Sequence, residues 1–364
     1  DNEAWSVIQN RSDWEAFVHP RIEALRNSLG QFPEPPRDLN IQISGTVEGE
    51  GYHIQNLVFE SRPGTFVSAN LYCPAQPKDK MPGILLVHSH HNPKVQGELQ
   101  DMGILWARSG CRVLVMDQFG YGDRRQHNPG FRQDYYFRYI TGLQLHTIGD
   151  SLMGWMVWDI HRGIDLLLSQ PNIDPERIII MGSVAGGGDP AAVTAALDRR
   201  ITGVVPFNFG GPQPETRFPL PEDAELRFNY LGGAYWEGTR NLRRSGVDGF
   251  FHWSIVASAA PRALVYAHEF AWDKERDPVW KRLNTIYGFY NAGNRIDYTL
   301  GRGSVKGRPP EATHCTNIGP HHRQRIHQAF QRWFDIDVTP QTEYSQRLEP
   351  EQLRSMTGQA RRDL

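Results

Sequence analysis

The run Ile178-Ile-Ile-Met-Gly-Ser-Val-Ala-Gly-Gly-Gly-Asp189 limits what this chain can fold into more than any other stretch. An apolar segment suited to a buried strand runs into a glycine-dense turn, and a helix-forming stretch, Pro190 to Leu197, follows. A strand, a sharp turn and a helix in that order present the residue at the apex on strained backbone, and the turn closes only around small residues two before and two after it. Gly182 and Gly186 meet that condition when the apex is residue 184. Residue 184 is valine. The frame predicts a strand docked against a helix, yet its apex carries no nucleophilic atom. Ser183 has a hydroxyl, but centring the turn on it would place Met181 where a small residue is needed.

Short, continuously apolar runs recur at Gly83–His88, Cys111–Asp117, Arg177–Met181, Ile201–Pro206 and Arg262–His268, as in buried parallel strands. Helical stretches lie between or after them, at about 97–109, 150–169, 189–198, 277–292 and 322–334. This alternation predicts an α/β fold, a mostly parallel sheet with helices on both faces. Ahead of it, Trp14, Phe17, Ile22, Leu25 and Leu29 mark an amphipathic helix over 12–29 that ends at Gly30. A proline-rich link, Phe32–Pro36, leads to three alternating stretches, Ile41–Val47, Tyr52–Glu60 and Phe66–Leu71, which read as antiparallel strands. Residues 211–250, rich in glycine, proline and aromatics, read as an insertion over the carboxyl edge of the sheet, where open α/β sheets bind ligands. The organisation expected is an N-terminal extension with the first strand (1–50), one α/β domain (51–340) and a C-terminal tail (341–364).

Composition removes several function classes. With a net charge of −2 there is no basic excess to hold nucleic acid, and no run approaches the ~18 consecutive apolar residues of a membrane span. Cys73, Cys111 and Cys315 are odd in number and lack metal-ligand spacing, so Cys73 and Cys111 read as strand-edge hydrophobes. The sequence begins at Asp1 without a leader, which fits removal of a targeting segment and a secreted or periplasmic protein, with a cytoplasmic one still open.

Taken in order, several blocks resemble the α/β-hydrolase superfamily, and within it the acetyl-xylan-esterase-like carbohydrate esterases. They are Tyr52 with Phe59-Glu-Ser-Arg-Pro-Gly64, Val87-His-Ser-His-His91 with Lys94, Asp117-Gln-Phe-Gly-Tyr-Gly122, Ser151-Leu-Met-Gly154, Trp158-Asp-Ile-His-Arg162 and Ile173-Asp-Pro-Glu-Arg-Ile178, followed by the turn above. The resemblance spans about residues 50–335. It departs at the centre, where the family's Gly-x-Ser-x-Gly-Gly nucleophile elbow is replaced by Gly182-Ser-Val-Ala-Gly-Gly-Gly188.

The resemblance implies the chain order nucleophile, acid, histidine. The acid falls in His268-Glu-Phe-Ala-Trp-Asp273, with Glu269 nearest the strand end, Asp273 second, and Asp277 resembling a helix start. The histidine falls in Glu311-Ala-Thr-His-Cys-Thr-Asn317 as His314, with His321 and His322 as competitors at the start of the last helix. Oxyanion donors would be backbone N–H groups near Ser89 and His90 and at Ala185, beside the positive end of the helix that follows the turn. His88 and His90 with Glu269 could also be read as metal ligands. A histidine-rich loop without metal is the preferred reading, and no cofactor is expected. His91 lines the same loop. Arg124 and Arg125 could hold a carboxylate or sulfate, and Trp236, Trp253, Trp272 and Trp280 could stack on sugars, Trp272 being nearest the acid.

Three functions follow. The leading one is a carbohydrate-directed hydrolase of a small-molecule or oligosaccharide ester, with His314, oriented by Glu269, as general base on water. The second is a lyase-type elimination on a uronic-acid glycan. The third is a catalytically silent glycan-binding protein.

Overall fold

The computed structural model describes residues 2–90, 93–127, 133–214, 216, 218–227, 242–338 and 346–356, without the side chains of residues 133, 135, 184 and 185. The strands are β1 (Gln42–Gly49), β2 (Tyr52–Arg62), β3 (Thr65–Pro74), β4 (Met81–Val87), β5 (Arg112–Met116), β6 (Ile173–Gly182), β7 (Gly203–Pro206), β8 (Ala263–His268) and β9 (Ile296–Leu300). The helices are α1 (Asn2–Ser6), α2 (Arg11–Ser28), α3 (Gly97–Arg108), α4 (Gln133–Thr147), α5 (Leu152–Ser169), α6 (Val184–Leu197), α7 (Ala224–Arg227), α8 (Ser245–Asp248), α9 (His252–Ala257), α10 (Pro278–Phe289) and α11 (Pro320–Phe334).

One sheet carries all nine strands in the order β1-β2-β3-β5-β4-β6-β7-β8-β9. β1, β2 and β3 pair antiparallel, as their alternation predicts, and β3 joins β5 antiparallel. From β5 to β9 every pairing is parallel, which matches the continuously apolar runs. β4 has β5 on one side and β6 on the other, so the chain leaves it in one direction and returns in the opposite one. Such a switch point opens a crevice at the carboxyl ends of the strands. The loops after β4, β5 and β6 meet there.

Apolar layers cover both faces. One packs α2, α5, α6, α9 and α10 against the sheet, and the other packs α3 and α11. In the first layer, Trp253 of α9 lies 6.0 Å from Trp14 and 5.8 Å from Phe17 between ring centres, so the N-terminal helix is part of the core. The second layer is closed at the β1–β3 edge by residues 346–356. Leu353 O accepts from Asn70 Nδ2 at 2.9 Å and from the buried Lys94 Nζ at 2.5 Å, and Ser355 Oγ donates to Ala69 O at 2.8 Å. The C-terminal segment is therefore packed into the fold along this stretch.

Ser151 shows how a short motif fixes a helix. Its Oγ accepts from Gly154 N at 2.9 Å, capping α5, and donates to Leu29 O at 3.0 Å. A Cβ at Gly154 would stand 2.0 Å from that same carbonyl, so glycine lets the end of α2 lie against the first turn of α5. Ser151→Ala removes the cap and is expected to cost about 1–2 kcal/mol in urea denaturation. An unchanged midpoint would contradict this role.

Two boundaries differ from the sequence expectation. α6 starts at Val184, not near 189, so Gly186, Gly187 and Gly188 belong to its first turns. α4 was not anticipated, because Tyr136, Tyr139, Ile140 and Leu143 are exposed and give it an apolar outer face instead of a buried apolar stripe. Of the insertion over 211–250, residues 228–241, including Trp236, lie outside the described residues.

Candidate active site

The turn after β6 is pressed between its neighbours, and that explains its glycines. A Cβ on Gly182 would lie 2.2 Å from Gly187 O, and one on Gly188 would lie 2.1 Å from Phe207 O beyond the end of β7. Ser183 caps α6 with extended backbone (φ −96°, ψ 136°), is only 4% exposed and makes no side-chain cap. Its Oγ donates instead to Thr316 O at 3.2 Å. The hydroxyl proton is therefore committed to a carbonyl and not to an imidazole. Val184 and Ala185 follow as the first residues of α6, and their side chains lie outside the described residues.

Glu269 leaves the end of β8 fully buried. Its Oε2 accepts from Thr316 N at 3.3 Å, and its own N–H donates to Asn208 Oδ1 at 3.0 Å. Its carbonyl receives Thr313 Oγ1 and, at 2.9 Å, His322 Nε2. Thr316 thus ties the turn (Ser183) to the acid (Glu269) through the loop that carries His314. It does so at φ +68°, a left-handed conformation that is costly for a β-branched residue and is found where surrounding contacts hold it. His314 itself is exposed on this loop and makes no hydrogen bond or ion pair to any described residue. The fold brings Ser183, Thr316 and Glu269 together, and places His314 two residues from Thr316 without joining its ring to the acid.

The other acids have structural duties. Asp273 Oδ2 accepts from Leu220 N at 3.1 Å and tethers the insertion. Asp277 caps α10, accepting from Val279 N at 2.8 Å and from Trp272 Nε1 at 2.9 Å. Burial pushes its carboxyl up to about 7.

The loops after β4 and β5 are laced together. Gln118 N–H donates to His88 Nε2 at 2.9 Å, so the His88 proton sits on Nδ1 and donates to Ser89 O at 2.7 Å. Both ring nitrogens are engaged by backbone, which removes His88 from any metal-ligand set. The Gln118 amide also donates to His88 O and Gly186 O, and Tyr121 Oη donates to His90 O. Gly186 (φ +95°) has His90 N 3.2 Å from where its Cβ would be, so the loop after β4 lies against the turn. His91 lies outside the described residues.

Several expected binding residues are corrected. Arg124 pairs with Asp159 at 2.8 Å and donates to Asp117 O at 3.1 Å, while Arg125 grips Asp134 bidentately at 2.6 Å. Their charges are answered inside the fold, although both line an open cleft of about 600 Å³ with Phe119 and Trp155. Trp272 is buried, stacks on His268 at 4.4 Å and spends its N–H on Asp277. The cavity it helps line measures about 30 Å³, room for a water and not for a sugar ring. Trp253 is core, as above, and Trp280 stacks on Tyr266 at 6.0 Å. His322 accepts from Gly319 N at 3.2 Å through Nδ1 and donates through Nε2 to Glu269 O, so it braces the acid's backbone and does not serve as base. Thr316, Gln118, Tyr121 and Arg138 of α4 were assigned no role in the sequence. Two stood in a recognised motif, but their use is backbone support, which spacing does not announce.

Burial drives three histidines down, His88 and His268 to about 3 and His322 to about 4. In the unfolded chain each takes up a proton once pH falls below about 6.5. Their contribution to stability is therefore whole above that pH and declines as pH falls towards 4, by about 1 kcal/mol per pH unit per group. Urea denaturation at pH 7 and pH 5 should show the loss, and His322→Gln should shrink it by about a third. Equal stability at both pH values would contradict the buried, neutral state of these rings.

Comparison with known proteins agrees with this architecture. The acetyl xylan esterase (AXE1) family model matches residues 27–209. YtaP of Bacillus subtilis (strain 168), whose name describes it as a hydrolase, is 26% identical over 192 residues, covering 50% of this chain and 60% of that protein. The chain thus spans about three-fifths of the curated relative it matches. Among solved structures, methylesterase BT1017 superposes with a TM-score of 0.69 at 18% identity, covering 99% of this chain and 73% of that one. A glucuronoyl esterase from Solibacter usitatus gives 0.57 at 16% identity, covering 90% and 94%. At these identities the likeness is one of fold, and the fold is that of the α/β-hydrolases.

Proposed function

The chain belongs to the acetyl xylan esterase (AXE1) family, and from that premise we propose that it hydrolyses acyl esters on carbohydrate by direct attack of water, without an acyl-enzyme. The observation that carries this reading is the Thr316 link. Glu269 Oε2 accepts from Thr316 N, and Thr316 O accepts from Ser183 Oγ, so acid, His314 loop and turn are held as one unit. In this reading His314, drawn in when substrate fills the crevice, takes the proton of a water above residue 184. Catalytic hydrogen bonds are often loose in unliganded enzymes and tighten around substrate. Glu269 orients the ring and offsets the charge it gains.

The developing oxyanion is met by backbone N–H groups of the β4 loop and of Ala185, and a valine at the apex does not remove them. Ser183 is the competing nucleophile, and its commitment to Thr316 O counts against it. The test is acetate release from acetylated xylo-oligosaccharides and from para-nitrophenyl acetate. Measurable release is expected. Failure on both, with an ultraviolet-absorbing unsaturated product from polyuronate, would overturn hydrolysis in favour of elimination.

A further inference from the structure

We propose that Arg138 is the docking point for a carboxylate carried by the substrate, so that the esterified sugar is, or adjoins, a uronate. The inference deepens the hydrolase reading and rests on it for the chemistry, though not for the binding.

Arg138 projects from α4 and is 5% exposed. Its guanidinium lies 5.0 Å from the centre of the Tyr121 ring, and Nη2 donates to Met156 Sδ at 3.0 Å. A thioether is a weak acceptor. Nε is buried with no acceptor, and among the described residues no carboxylate pairs with this side chain. A guanidinium keeps its charge even when buried, so a desolvated one without a counter-ion is costly to maintain. Arg124 and Arg125, on the loop before α4, each have a carboxylate partner of the kind that Arg138 lacks among the described residues.

The direction of the fork supplies the second observation. Nη1 stands 3.2 Å from the point a Cβ would occupy on Gly186, the same point that His90 N approaches to 3.2 Å. The cation is therefore packed against the turn, beside the proposed oxyanion donors, at a point too close for any side chain larger than glycine's. A planar fork with a permanent charge is suited to a carboxylate. A carboxylate seated on it would hold an acidic sugar with its ester beside residue 184.

The test is calorimetric titration with D-glucuronate and D-glucose. The native chain is expected to bind glucuronate at least about tenfold more tightly than glucose. Arg138→Met should erase that difference, and Arg138→Lys, which keeps the charge without the fork, should retain part of it. The native chain's own discrimination needs no variant, so a variant that fails to fold does not rescue the idea. Equal affinity for the two sugars, binding of neither, or an undiminished preference in a folded Arg138→Met would overturn it. So would an equal loss of kcat on acidic and neutral acetyl esters with glucuronate binding unchanged, which would make Arg138 an oxyanion donor. Glucuronate preference without acetate release would sink the hydrolase reading alone. Acetate release without that preference would sink this inference alone.

Discussion

Val184→Ser is expected to raise ester turnover by roughly 10²-fold or more and to change its kinetics from steady to burst. The reason is the frame around residue 184. Gly182, Gly187 and Gly188 are pressed against backbone, so the turn keeps its shape whatever side chain stands at the apex. The loop after β4 lies against that turn, and the Thr316 link holds the His314 loop beside it. A positioned base acting on water supplies about 10²–10⁴-fold. A complete nucleophile, histidine and acid supplies far more, since removing the serine from such a set costs up to about 10⁶-fold and leaves about 10³–10⁴ over water. Restoring the hydroxyl should recover part of that gap, read as kcat and as a pre-steady-state burst. A folded variant with no gain would mean that the apex does not face the reacting carbonyl.

The second large effect is the loss of the base. His314→Ala should lower kcat by roughly 10²–10⁴-fold with KM nearly unchanged, because the imidazole acts on the water and not on the bound sugar. Glu269→Gln should lower it less, because the carboxylate acts through the ring. Asp273→Asn, at a tether to Leu220, should stay close to the native rate. His322→Gln should reveal itself in stability more than in kcat, since that ring is hydrogen-bonded on both sides to backbone. A native rate in His314→Ala would assign the base elsewhere.

The fold was largely legible because its signals are periodic and local. Continuous apolar runs marked β4 to β8, alternation marked β1 to β3, and the glycines of the elbow marked α6, although its start at Val184 lies five residues before the expected 189. α4 was missed because its apolar residues point outward, so the pattern that reports burial was absent. The site was legible in part. Glu269 was recognisable from its place at the end of β8, and the structure puts it, and not Asp273, against the His314 loop. The binding residues were read poorly. An arginine near a strand end cannot be told from the sequence to have or lack an internal carboxylate. Arg124 and Arg125 have one, and Arg138, which stands in none of the recognised motifs, has none among the described residues. Trp272 looked like a sugar platform from its position, yet its indole N–H is spent on Asp277.

Intact-mass spectrometry of the native chain, quenched during turnover of para-nitrophenyl acetate, is the most direct measurement. Water attack above Val184 predicts an unmodified mass at every time point, with an acetyl adduct appearing in Val184→Ser alone. An acetyl adduct on the native chain, at Ser183 or at any other side chain, would contradict it.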